Sequence, residues 1–274
     1  MKTSNFITSI LFAGTVLVSC TDNFESINSN PNAPEQVSAN LLTSTVTSEI
    51  TRRLTDEGYS DGNTITQLMA KNNFPGFSQF DWGDQGMWDF FYNYLPEIND
   101  ILEISRTEGT QNATYEGIAL TLRALSFANL TDLYGYVPYT EAMAGETEGI
   151  FTPVYDDQET VYNGVLQDLA DADAALAKGE AITGSTGDVI YDGDASKWRK
   201  LANSLRLRYL MRISKQRDVS AEMQAIVSAG NYINSNEDNA TLTYSGTSNT
   251  DSWPQSTGRI GGFDEKSLCT TLLG

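Results

Sequence analysis

Apolar residues at helical spacing mark the body of this chain. Leu41, Leu42, Val46, Ile50 and Leu54 predict a first helix over 39–54. The period then breaks at Gly58, Gly62, Pro75, Gly76 and Gly83, so 56–84 is expected to be mostly loop, with a short helical piece near Ile65 to Met69. A second helix is predicted from Met87 to Ser105, kinked or split by Pro96. From Thr114 to Leu133 almost no polar face remains, so this helix should be packed on both sides, with Gly135 ending it. Tyr136 to Pro153 carries Pro138, Gly145 and Gly149 without a period and reads as a surface loop. Asp156 to Lys178 is amphipathic: Tyr162, Val165, Leu166, Leu169, Ala172 and Leu176 form its apolar side, while Asp168, Asp171 and Asp173 are assigned to the opposite one. Asp156, Asp157 and Glu159 sit where the helix dipole favours acid, and Gly179 stops the run. A long helix is expected from Ala195 to about Gln216, capped by Asp194 or Ser196, and a shorter one over Val219 to Ala229. Beyond Tyr232 no regular element is predicted. Without βαβ alternation, the sum is an all-α body of paired helices.

Ahead of this body lies a different kind of segment. Lys2 is followed by an uncharged stretch from Thr3 to Ser19 with apolar runs, the pattern of a signal peptide too short to be a stop-transfer helix. Its end, Leu17-Val18-Ser19-Cys20, resembles the bacterial lipobox, which makes Cys20 the expected lipidated N-terminus of the mature chain. Residues 20–36, rich in Asn, Ser, Pro and acid, read as a tether, and 37–274 as one helical domain. With Cys20 lipidated, Cys269 has no intrachain partner and no disulfide is expected.

Charge and composition narrow the function. Seventeen Lys plus Arg against 36 Asp plus Glu give a formal net charge of −19, which repels phosphate backbones, so nucleic acid is excluded as an expected partner. The chain has no His. Ser-His-Asp and Cys-His catalysis and HExxH zinc sites are thereby removed.

Three stretches carry a resemblance. Leu122-Arg123-Ala124-Leu125-Ser126-Phe127-Ala128-Asn129-Leu130-Thr131-Asp132-Leu133-Tyr134-Gly135-Tyr136-Val137-Pro138-Tyr139-Thr140-Glu141-Ala142 is similar to the helix and turn of SusD/RagB-type lipoproteins. So are Pro153-Val154-Tyr155-Asp156-Asp157-Gln158 entering a helix with Tyr162, and Gly193-Asp194 followed by the run from Trp198 to Arg208. The resemblance implies a tetratricopeptide-like α-α superhelix carrying ligand-binding loops. It also implies an outer-membrane, lipid-anchored protein that captures glycans or other oligomers for a SusC-like TonB-dependent transporter. Members of that family are much longer, so the chain is expected to be its N-terminal part, and ligand residues of the other half cannot be named.

The densest aromatic stretch runs from Phe74 to Tyr94. Sugar rings pack their C–H faces on indole and phenol rings, so flat aromatics beside amides and carboxylates suit saccharides. Trp88, Phe91 and Tyr92 have the spacing of a buried helix face and are assigned to the core. Phe80 and Trp82 lie in a Gly-containing loop and are the ligand candidates, with Gln79, Asp81 and Asp84 as the polar edge. Eight basic residues between Lys197 and Arg217 are expected to serve structure, with Arg206, Arg208 and Arg212 reaching acidic helices such as 156–178. No motif fixes a carboxylate pair as acid and base, and no Walker, dinucleotide or nucleophile-elbow sequence occurs. No catalytic residue, cofactor or metal ligand is therefore assigned, although calcium at the acidic loops is left open. A binding protein is the leading expectation; a surface glycoside hydrolase and a structural protein without a small ligand are the competitors.

Overall fold

The computed structural model describes residues 37–73, 75–83, 86–248, 251–257 and 265–273. The expected leader, tether and Cys20 lie outside the described residues, as does Asp84. The architecture is all-α: α1 (Ala39–Glu57), α2 (Met87–Arg106), α3 (Ala113–Tyr134), the short α4 (Ala144–Glu148), α5 (Gln158–Leu176), α6 (Ala195–Ile213) and α7 (Ser220–Ala229). Neighbours in sequence pack as pairs, α1 on α2, α2 on α3, α5 on α6 and α6 on α7, while α3 also contacts α5 and α6.

Burial follows helical spacing. In α2, Phe91, Leu95, Ile98 and Leu102 form the buried stripe. Pro96 falls on the exposed side of that stripe, so the missing N–H deprives only the carbonyl of Tyr92 of its i+4 donor, and α2 stays a single helix instead of splitting. The centre of the core is α3, where Ile118, Ala119, Ala124, Ala128 and Leu130 are all fully buried. Thr121 and Ser126 are buried there as well, and each hydroxyl donates to a carbonyl one turn back, Gly117 and Leu122, at 2.7 and 2.8 Å. Close approach to α5 is set by Gly117, where a Cβ would lie 2.3 Å from Leu176 Cγ.

Side chains at the helix starts explain the boundaries. Asn112 Oδ1 accepts from the amides of Thr114 and Tyr115, Asp157 from Thr160, and Asp194 from Ser196 and Lys197. Asp188, only 5% exposed, accepts from the amides of Ile190 and Gly193 and from Trp198 Nε1 at 2.6 Å, which locks the loop ahead of α6 onto the buried indole.

Five expectations are corrected. After Glu57 the backbone widens into a π-helical turn at Gly58–Gly62 and closes with a helical turn at Asn63–Ile65. Met69, expected to be helical, instead begins strand β1 (Met69–Lys71), because Gln67 takes a left-handed φ of 58° and ends the helical path. Regular structure also exists beyond Tyr232: β4 (Lys266–Leu268) pairs antiparallel with β1, Met69 opposite Leu268. The segment 136–153 is not all surface loop, since β2 (Val137–Pro138) pairs with β3 (Tyr155–Asp156) and Val137 is fully buried. Lastly, Asp168 does not face solvent: it is buried against α3, where Arg123 donates to both its oxygens at 2.8 and 2.6 Å.

Candidate ligand-binding surface

β1 leads into a compact loop, Pro75 to Gly83, which ends near the start of α2. Its backbone is internally bonded: the amide of Gln79 donates to the carbonyls of Pro75 and Gly76, and that of Asp81 to Gly76 at 3.0 Å. Ser78 Oγ accepts from the amide of Lys71 at 3.1 Å, tying the loop to the strand. Phe80 adopts a φ of 70°, an uncommon conformation for a bulky residue, and its ring stands 70% exposed. Trp82 is 40% exposed, with its ring centroid 5.8 Å from that of Phe80 and the planes inclined at 61°. Gln79 and Asp81 are exposed beside them. The loop therefore brings four of the expected site residues into one surface, two rings with an amide and a carboxylate at their edge.

A second aromatic group escaped the sequence reasoning in part. Phe91 is fully buried as expected, but Trp88 and Tyr92 are only half-buried. Trp88 lies 5.2 Å from Tyr134, edge-on at 89°, and 6.0 Å from Tyr155, nearly parallel at 20°. Tyr134 and Tyr155 come from the end of α3 and from β3 and are 40% and 60% exposed. The available signal was the tyrosines themselves, since a phenol placed where a helix ends, next to Gly135, keeps a polar tip in water.

Electrostatics divide along the expected lines with changed partners. Arg199 pairs with Asp173 of α5 at 2.7 Å and Lys200 with Asp238 at 2.7 Å. Arg212 reaches Asp132 of α3 instead of α5, Arg217 pairs with Glu222, and Arg208 is exposed. Arg206 Nε is buried without a hydrogen-bond partner among the described residues. Near the π-helical turn, burial foremost, and then the hydrogen bond with Asp61 and the charges of Asp61 and Asp56, push the Glu57 carboxyl up to about 7 against the pull of Arg53. Two carboxyls in direct hydrogen bonding are too close for a glycosidase pair, which needs roughly 5–9.5 Å between them.

Compared with known families, residues 31–271 match the SusD-like model described as "starch-binding associating with outer membrane". The chain belongs to the SusD-like family. No curated protein matches it. Among solved structures, it is similar to an outer membrane protein of Bacteroides vulgatus whose proposed role is nutrient binding, with 27% identity and a TM-score of 0.66 over 86% of this chain and 50% of that one. A SusD homolog from Bacteroides fragilis gives 25% identity and 0.66 over 86% and 50%. A chitin-binding protein gives 26% identity and 0.65 over 85% and 51%. The chain thus spans about half the length of these solved relatives. Their shared fold is the succession of helix pairs described above, and no helix among the described residues of this SusD-like chain is long and apolar enough to cross a membrane.

Proposed function

We propose that this chain is a cell-surface glycan-binding lipoprotein that holds oligosaccharide on the loop carrying Gln79, Phe80, Asp81 and Trp82, with Asp84 next to it in sequence. The observation that carries the reading is the exposed ring pair of Phe80 and Trp82, presented by a loop in which the amides of Gln79 and Asp81 bond back to the carbonyls of Pro75 and Gly76. Ordering entropy is already spent in such a loop, so stacking energy is retained as affinity. Membership of a family described as starch-binding, and similarity to a chitin-binding protein, support a saccharide as the ligand class. In this reading residues 1–19 are a lipoprotein signal, Cys20 anchors the mature chain to the outer membrane through its acyl groups, and 20–36 tether the helical domain of 37–274. The captured oligomer passes to a SusC-like TonB-dependent transporter, and the chain itself does not cut it.

Calorimetric titration of the purified chain with maltoheptaose and with chitohexaose tests the site. By analogy with bases stacked on aromatic side chains, Trp82→Ala should cost about 1–3 kcal/mol of binding while leaving the helical circular dichroism unchanged. Unchanged affinity for a sugar that the parent binds would remove this loop from the site.

A further inference from the structure

The ring cluster of Trp88, Tyr92, Tyr134 and Tyr155 is held in place by bonds that packing alone does not require. Trp88 lies in the first turn of α2, where backbone N–H groups have no intrahelical acceptor. Its amide donates to the Tyr134 hydroxyl at 3.0 Å, so a phenol from the end of α3 serves as a cap for α2. Tyr92 donates its hydroxyl to the carbonyl of Pro138 at 2.6 Å, and Pro138 is the ladder partner of Tyr155. Tyr134 and Tyr92 are thus tied to backbone through their hydroxyls, and the Trp88 and Tyr155 planes lie within 20° of each other. The hydroxyl of Tyr155 and the indole N–H of Trp88 make no hydrogen bond among the described residues, although both rings reach the surface.

Partly exposed rings beside unused donors suit a ligand with flat C–H faces and hydroxyls at its edges, which is the chemistry of a saccharide. An aliphatic protein surface would cover the rings and leave those donors buried and unpaired, at a cost. Charge refines the class. Burial, and after it the neighbouring Tyr155 and the charge of Asp156, hold the Tyr92 phenol above its ordinary value, and the whole chain carries −19, so an anionic sugar is disfavoured here. Trp82 and Trp88 are separated by six residues of chain, hence by no more than about 20 Å between their Cα atoms. A span of that size is within the reach of one oligomer.

We infer that Trp88, Tyr134 and Tyr155 form a second stacking surface for a neutral oligosaccharide, onto which a chain held at the Phe80–Trp82 loop extends. The inference rests on the saccharide reading above and adds a dependence on ligand length, because the second contact is made at the high effective concentration set by the first.

Calorimetry with maltose to maltoheptaose, and with the chitin-derived series of the same lengths, tests it on the parent, Tyr155→Ala, Tyr155→Phe and Trp82→Ala. In the parent, affinity should climb about tenfold or more from the shortest to the longest ligand of the series that binds. Tyr155→Ala should abolish that climb while leaving the shortest ligand unaffected; Tyr155→Phe, which keeps the ring, should preserve most of it. Trp82→Ala should weaken every length. Near-ultraviolet circular dichroism of the Tyr155 variants checks that the neighbouring rings stay ordered. A Tyr155→Ala protein that keeps the full climb overturns the inference, as does a climb lost only together with the near-ultraviolet signal in both Tyr155 variants. A parent that binds neither series overturns the saccharide reading itself, and a longer sulfated oligomer binding more tightly than its neutral counterpart overturns the assignment to neutral sugars.

Discussion

Phe91 in α2 and Phe80 in the loop before it carry the same ring into opposite environments. Phe91 is fully buried in a stripe with Leu95 and Ile98, whereas Phe80 is 70% exposed on a left-handed residue of a turn whose hydrogen bonds close on themselves. In the helical body, rings are positioned by the side chains around them, and their removal leaves a cavity. On the loop the backbone does the positioning, and the ring is left free to meet a ligand. The difference separates residues that make the fold from residues proposed to hold the ligand, and it makes opposite demands on mutation.

The strongest way to break the scaffold side is to orphan its buried charge. Arg123→Met leaves Asp168 buried without its two hydrogen bonds and should cost about 3–5 kcal/mol in urea denaturation, whereas replacing both partners by apolar residues of similar volume should recover most of the loss. Overpacking comes next. At Gly164 a Cβ would fall 1.9 Å from the Tyr139 hydroxyl, so Gly164→Ala should destabilise by about 1–3 kcal/mol and displace the segment that leads to Tyr134 and Tyr155. On the loop side, Phe80→Ala should change stability by less than about 0.5 kcal/mol, and Phe80→Gly should be tolerated equally well because glycine accepts the positive φ. A further effect is a pH dependence at Glu57. Its folded-state carboxyl binds a proton more tightly than the ordinary 4.5, so stability should decline as pH rises from about 4.5 to 7, and Glu57→Gln should flatten thermal melts across that window.

Helical burial was largely legible because its signal is local. Gly135 ends α3 and Asp194 caps α6 where the pattern said they would, since a period and a cap need only neighbouring residues. What the pattern missed depends on partners distant in the chain. Asp168 looks like any helical acid until Arg123 of another helix is opposite it. The pairing of Met69 with Leu268 joins three-residue strands too short to show alternation. Trp88 has core spacing along α2, but its surroundings are set by Tyr134 and Tyr155, which arrive from other elements. The exposure of the loop was legible for a different reason, because Gly-punctuated sequence with Phe, Trp, Gln and Asp has no helix face on which to hide its rings.

The chain has four tryptophans, in different settings, and they allow a direct test. Trp82 is on the exposed loop, Trp88 at the half-buried ring cluster, and Trp198 is 1% exposed with its Nε1 donated to Asp188. Fluorine NMR of fluorotryptophan-labelled protein, assigned by single replacements and titrated with maltoheptaose or chitohexaose to calorimetric saturation, should move the Trp82 resonance most while Trp198 stays fixed. A saturated complex in which Trp82 does not move, or in which Trp198 shifts as far as Trp82, would contradict the division of this molecule into a rigid helical scaffold and a loop that receives the sugar.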